Sequence, residues 1–262
     1  MPTVTLFAKA HRNRRLDNFD KNIRSTLEGL NVEVKTCGAT ARGWIQISIS
    51  GEDENVALRY LEDKIGLCTA SFEDIHRFST IKGRITNLEN SKNELRVDMG
   101  VYSPSIYDAV MPLTRLQAQL VDGRKITLME IVELFGMSEN MPFTVKIDSV
   151  DKDRSLIEAE VAEKQRRQYI VWTESLLDRL LILGASYSGI ELAVEQAGFR
   201  RDVVNIESLG GFEYAVVCKL GTDAVGLIPR IGKILGNASM VVFSPRRIFA
   251  LFGNKLPLSI SY

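Results

Sequence analysis

The chain is poor in residues that do chemistry by themselves. Its three cysteines, Cys37, Cys68 and Cys218, lie far apart and in no CxxC or Cys/His spacing, so neither a disulfide framework nor a zinc site is expected. Two histidines, His11 and His76, leave no Ser-His-acid or Cys-His set, and GASYSG (184–189) departs from G-x-S-x-G, which argues against an acyl-transfer enzyme. Gly226 and Gly232-Lys233 are separated by five residues and followed by isoleucine, whereas a phosphate loop takes four and then Ser or Thr. No run approaches the roughly 20 apolar residues of a membrane span. MPTVTLFAKAHRNRR puts its basic cluster after a short apolar run, the reverse of a signal peptide. The expectation is a cytoplasmic, non-enzymatic protein with no cofactor, no metal and no membrane partner.

Net charge is lacking too, with 33 basic against 33 acidic residues. Residues 1–78 hold 11 of each sign, 79–165 hold 11 basic and 14 acidic, and 166–262 hold 11 basic and 8 acidic. A protein gripping long nucleic acid by charge alone is far more basic. Any RNA contact is therefore expected to be local.

What is present is patterning of an ordinary globular chain, 45% hydrophobic and 25% charged over 262 residues, in three segments. Residues 1–78 read as strand TVTLFAK, a helix over 17–30, strands VEVKT and GWIQISIS, an acid-started helix EDENVALRYLEDKIG, and a last strand near 69–75. That order predicts a ferredoxin-like α+β sandwich. Residues 79–165 turn to β: IKGRITNL, NELRVDMG, YDAVMPL, MPFTVKIDSV and RSLIEAEVAE. A helical insertion over 115–140 separates the third strand from the fourth, as in an OB-type barrel. Residues 166–262 predict a second α+β unit. Helices are expected over 174–184 and 188–198, then a hairpin turned at Gly210-Gly211, a helix near 222–235 interrupted by Pro229, a strand SMVVFS and a last helix PRRIFALF.

Gly83, the VDMG run at 97–100, DAVMPLTRL (108–116) and FTVKIDSVDKDRSLIEAEV (143–161) together resemble the S-one type OB barrel, an RNA-binding repeat. The resemblance implies that Gly83 serves curvature and Asp98-Met99-Gly100 a strand end. The aromatics and histidine that such barrels use for base stacking are missing from NELRVDM and DAVMPL. Across the full length, ARGWIQISISGEDE, VDMGVYSP and CKLGTDAVGLIPRIGKIL resemble an archaeal family designated domain of unknown function 2110, which implies an archaeal cytoplasmic protein.

Candidate contacts are cationic. KAHRNRR packs Lys9, His11, Arg12, Arg14 and Arg15 between a strand and a helix start, where anions are favoured; a solvated loop is the alternative. If Ile85, Leu95, Val97 and Met99 point inward, period two sends Arg84 and Arg96 outward, with Lys82 beside them. They read either as phosphate contacts or as ordinary surface charges. Arg230 and Lys233 flank a glycine-bearing turn that is loosely KH-like, or else simply part of an apolar core. Asp98, Asp148, Asp151 and Asp153 are the carboxylates that could gather around a metal, but DKDR (151–154) reads as a β-turn and no metal is expected. The expected function is an RNA-binding factor of translation, holding ribosomal or transfer RNA by backbone and shape. The alternative is a protein-interaction module that uses the barrel as scaffold.

Overall fold

The apolar start of the chain forms β1 (Thr3–Lys9), burying Leu6, Phe7 and Ala8. The structure is a computed structural model that describes residues 3–9, 23, 27–68, 72–101, 106–151, 154, 156–236 and 238–253. It divides into two compact units, Met1–Ala70 and Ser71–Tyr262.

In the first unit β2 (Val32–Ala39) and β3 (Trp44–Gly51) complete an antiparallel sheet of order β1-β3-β2. Helix α1 (Glu54–Lys64) buries Ala57 and Leu61. Of the helix expected over 17–30, Ile23 is helical and buried and residues 27–30 form a turn; 17–22 and 24–26 lie outside the described residues. Of the last strand expected near 69–75, residues 69–71 lie outside the described residues and the part from Phe72 is not a strand. Leu67 bridges Leu6 of β1, Phe7 N donates to Gly66 O (2.8 Å) and Cys68 N to Thr5 O (2.9 Å), while Phe72–Asp74 is a 3-10 turn. With Leu67 beside β1, the order second, third, first, fourth is that of a ferredoxin-like sandwich, its fourth position marked among the described residues by this bridge.

The second unit opens with the barrel: β4 (Thr80–Thr86), β5 (Glu94–Val101), β6 (Tyr107–Pro112), β7 (Pro142–Asp151) and β8 (Leu156–Val161), closed in the order β4-β5-β6-β8-β7. β6 pairs in parallel with β8, and α2 (Leu113–Leu120) and α3 (Leu128–Leu134) fill the gap between β6 and β7. This is the OB arrangement. Gly83 is a steric requirement of closure: a Cβ there would overlap Val97 Cγ1 and come within 2.8 Å of Asp98 O on the neighbouring strand. Gly100 serves a different need. It sits at φ +77°, where the β5–β6 register shifts between Asp98 and Val101, and the Asp98 carboxylate accepts its N–H at 2.9 Å. A bulge of this kind favours glycine.

Helix α4 (Glu163–Glu174) leads into β9 (Arg179–Leu183), α5 (Tyr187–Gln196), β10 (Val203–Ser208), β11 (Glu213–Cys218), α6 (Ile228–Leu235), β12 (Ser239–Phe243) and α7 (Pro245–Phe252). The helix expected over 174–184 is instead a turn and β9. Leu181 and Leu183 face the barrel and Leu180 and Ile182 face α5 and α6. A strand buried on both faces shows an unbroken apolar run, which periodicity cannot separate from a helix. The sheet is antiparallel with order β10-β11-β9-β12, again second, third, first, fourth. Near Pro229 no helix–turn–helix forms. Gly226 lies in a 3-10 turn, Ala224–Leu227, that runs straight into α6, whose first turn holds Pro229 and whose interior holds Gly232.

One core serves barrel and sheet together. Ile85, Val97 and Phe143 inside the barrel, Phe135 after α3, Tyr169 and Trp172 of α4, and Leu181, Ala215 and Phe243 of the sheet form a single buried cluster. At its centre Tyr169 meets Phe135 edge-on, with centroids 4.9 Å apart, and Trp172 meets Phe243 at 5.2 Å.

Candidate nucleic-acid interface

Period two does aim Arg84 out of the barrel, but the C-terminal sheet covers that face. Arg84 is 0% exposed. Its Nη1 and Nη2 donate to Glu213 Oε1 (2.8 Å) and Oε2 (3.0 Å), and Nη1 also donates to Asn140 O (2.8 Å). It is a bidentate clamp between β4 and β11 and is closed to phosphate, which corrects the outward, RNA-facing role expected for it. Arg96 is half-exposed and spends its guanidinium on Glu94 of the same strand, at 2.6 Å. Arg84 and Arg96 therefore do not form a phosphate-holding pair.

Lys82 does reach a candidate site. It stands at the mouth of a cleft of about 460 Å³ between the barrel and α4, lined by Lys82, Thr144, Lys164, Arg167, Gln168 and Leu209 among others. Its Nζ donates to Leu209 O at 3.0 Å. By area the lysine is exposed, yet protein closely surrounds it. That partial burial, ahead of the neighbouring Arg84 charge, lowers its pKa, while Glu213 acts in the opposite direction and Lys164 adds to the lowering. Around the cleft, Lys82, Arg84, Lys164 and Arg167 stand against Glu213 and Glu163, the latter 2.9 Å from Arg167. Gln165 fixes the wall: its Oε1 accepts Thr144 N (3.1 Å) and its Nε2 donates to Gln168 Oε1 (3.2 Å). A site with surplus positive charge, amide donors and no carboxylate in its lining suits an anion.

Arg230 and Lys233 do not line the cleft. Lys9, in the first unit, lies with Nζ 4.7 Å from the Trp44 ring centroid. His11, Arg12, Arg14 and Arg15 lie outside the described residues. Arg230 packs its guanidinium 5.5 Å from the Phe199 centroid and Lys233 is exposed on the same helix, α6. The sequence undervalued Lys164 and Arg167, because one turn of a helix shows its cations as an ordinary solvated stripe until the wall opposite is known.

Asp148 and Asp151 are engaged in ion pairs rather than gathered together, Asp148 with Arg115 at 2.7 Å and Asp151 with Arg154 at 3.9 Å. The Arg115 hydrogen bond, then its charge, holds the Asp148 carboxyl below its usual range. Among the described residues no group of three or more His, Cys, Asp or Glu is placed to hold a metal ion, and no helix is long and apolar enough to cross a membrane.

Comparison with known proteins gives no match among curated sequences. One solved structure with partial likeness is the crystal structure of the a/eIF2alpha-aDim2p-rRNA complex from Pyrococcus horikoshii OT3, at 12% identity and a TM-score of 0.26, covering 47% of this chain and 64% of that one. A likeness at this level establishes neither fold nor role. Family models are more informative. The DUF2110 N-terminal domain matches residues 3–71, the DUF2110 central domain 76–173 and the DUF2110 C-terminal domain 177–243. The three models follow one another along the sheet unit, the barrel with α4, and the C-terminal sheet, and the chain belongs to the DUF2110 family.

Proposed function

We propose that the protein is a non-catalytic RNA-binding factor of the archaeal cytoplasm, acting in translation on ribosomal or transfer RNA and holding it by backbone and shape. The observation that carries this is the cleft beside the OB-type barrel, with Lys82 from β4 facing Lys164 and Arg167 from α4 and no acid in its lining. Phosphate contacts position RNA without reading bases, which fits the absence of aromatics from NELRVDM and DAVMPL. The basic stretch with Lys9, Arg12, Arg14 and Arg15 is proposed, on its sequence alone, as a phosphate contact of the first unit in its own right.

The test is titration of the full chain with single-stranded RNA at increasing salt. Three phosphates held by Lys82, Lys164 and Arg167 give a log–log slope of about −2, or roughly a 20-fold loss of affinity between 50 and 200 mM salt. Reversing Lys164 and Arg167 to glutamate should bring the slope toward about −0.7. An unchanged affinity and slope in that variant would remove the cleft from the model.

A second reading is favoured by one specific feature. Tyr187 and Leu192 of α5 and Val204 of the edge strand β10 are 47%, 52% and 61% exposed around a groove of about 580 Å³, as a protein-interaction module would require. Under it, a defined protein partner stays bound after complete nuclease digestion.

A further inference from the structure

Phe78, immediately before β4, combines three properties that are each costly. It is a bulky residue at φ +69°, in the left-handed region where a side chain is strained and glycine or asparagine is not. It is 61% exposed, so burial of the ring does not offset that strain. And its backbone is held in place: Phe78 N donates to Ile147 O at 2.7 Å, and Ser79 O accepts Ile147 N at 2.9 Å. Strain of this kind concentrates where a side chain must be presented.

The ring is set among cations. The Arg77 guanidinium lies 4.6 Å and Lys146 Nζ 5.7 Å from the ring centroid. Arg77 spends its Nε on a neutral acceptor, Asp148 O at 2.7 Å, and Lys146 pairs with Glu160 at 2.9 Å. With Arg115 bound to Asp148, three cations stand against two acids.

Register connects this patch to the cleft. Lys82 pairs with Thr144 and Thr80 pairs with Lys146. Residues 144 and 146 share one face of β7, as 80 and 82 share one face of β4. The cleft residues Lys82 and Thr144 are thus followed along the same face by Thr80 and Lys146, and Lys146 in turn reaches the Phe78 ring. Phe78 lies four residues before Lys82, a span of at most roughly 13 Å.

We propose that Phe78 is a stacking platform for an unpaired base of single-stranded RNA, with Arg77 and Lys146 taking the flanking phosphates. The strand then runs along β4 and β7 into the cleft. This rests on the proposal that the protein binds RNA and narrows it: the RNA is single-stranded at the barrel. Stacking comes from the approach to the first barrel strand and not from the second and third strands. An aromatic with neighbouring cations is the combination that holds a single strand without sequence preference.

The test uses the full chain and a short oligouridylate, the same oligonucleotide carrying one abasic position at each site in turn, and an RNA duplex. Phe78→Gly removes the ring while relieving the backbone, so its melting temperature should not fall, and its affinity for oligouridylate should drop about 5- to 150-fold. Phe78→Trp should restore binding. One abasic position should weaken wild-type binding by a similar factor and leave the Phe78→Gly variant unchanged. If oligouridylate binds and weakens with Lys164 and Arg167 reversed to glutamate but not with Phe78→Gly, stacking is refuted while the cleft stands. Preference for duplex over single strand refutes it also. If neither RNA binds, both proposals fall.

Discussion

Replacing Glu213 by glutamine tests the way the barrel and the C-terminal sheet are held together. The wild-type carboxylate accepts two hydrogen bonds from a guanidinium that is 0% exposed, and is itself 1% exposed. The amide keeps the shape but leaves the Arg84 charge buried without its counter-ion, and one amide N–H group facing other donors. Breaking a buried pair on one side costs about 3–5 kcal/mol, far more than the pair contributes relative to a well-packed apolar replacement. At about 2–4 °C per kcal/mol for a domain of 150–250 residues, the melting temperature should fall by roughly 6–20 °C. Because the two compact units can melt separately, the signal should be Trp172 fluorescence in a Trp44→Phe background. Trp172 packs against Phe243 in the shared core, whereas Trp44 belongs to the first unit. The loss should be nearly unchanged at high salt, since a pair removed from water is little screened. Arg84→Met combined with Glu213→Leu should recover most of it. A shift below 2 °C for Glu213→Gln, or one abolished by salt, would refute the assignment of a buried clamp.

Two further expectations follow from side chains away from the cleft. Cys218 is buried and its thiol is pushed up to about 11, first by burial and then by the Asp178 and Asp223 charges, while Cys37 is exposed; a thiol reagent at pH 7 should modify Cys37 rapidly and Cys218 only on unfolding, and equal rates would contradict the fold there. Glu130 closes a capping box on Thr127, whose backbone N–H and then hydroxyl hold its carboxyl below the usual glutamate range. A depressed carboxylate contributes stability that is present above its unfolded value and lost as pH falls through the folded one. The melting-temperature gap between wild type and Glu130→Gln should therefore be open at pH 7 and close as the pH falls below the usual glutamate range; a gap independent of pH would mean the box is not formed.

The barrel was legible because its constraints are local: alternation fixed the strands, and Gly83 and the Asp98–Gly100 bulge are forced by contacts within two neighbouring strands. Arg84 shows where local reasoning stops. Alternation states which face a side chain takes and is silent on what covers that face, here a sheet whose Glu213 lies 129 residues away. The buried strand β9 was hidden for the related reason that both its faces are covered, by the barrel core and by α5 and α6. Phe78 was invisible for another reason: it lies between two periodic segments, and its backbone conformation is set by Ile147 far along the chain. Lys164 and Arg167 are not among the contacts expected from the sequence, because a cleft needs two walls and the sequence shows one at a time.

The core shared by barrel and C-terminal sheet has an evolutionary consequence. Family models divide the chain between 173 and 177, but the packing does not respect that division: Phe135 and Tyr169 on one side and Phe243 on the other fill one volume. A change of size at any of them must be absorbed across the boundary. The two segments are therefore expected to drift together among relatives, and a chimera joined at residue 175 from two distant members should inherit mismatched halves of one interior rather than two finished domains.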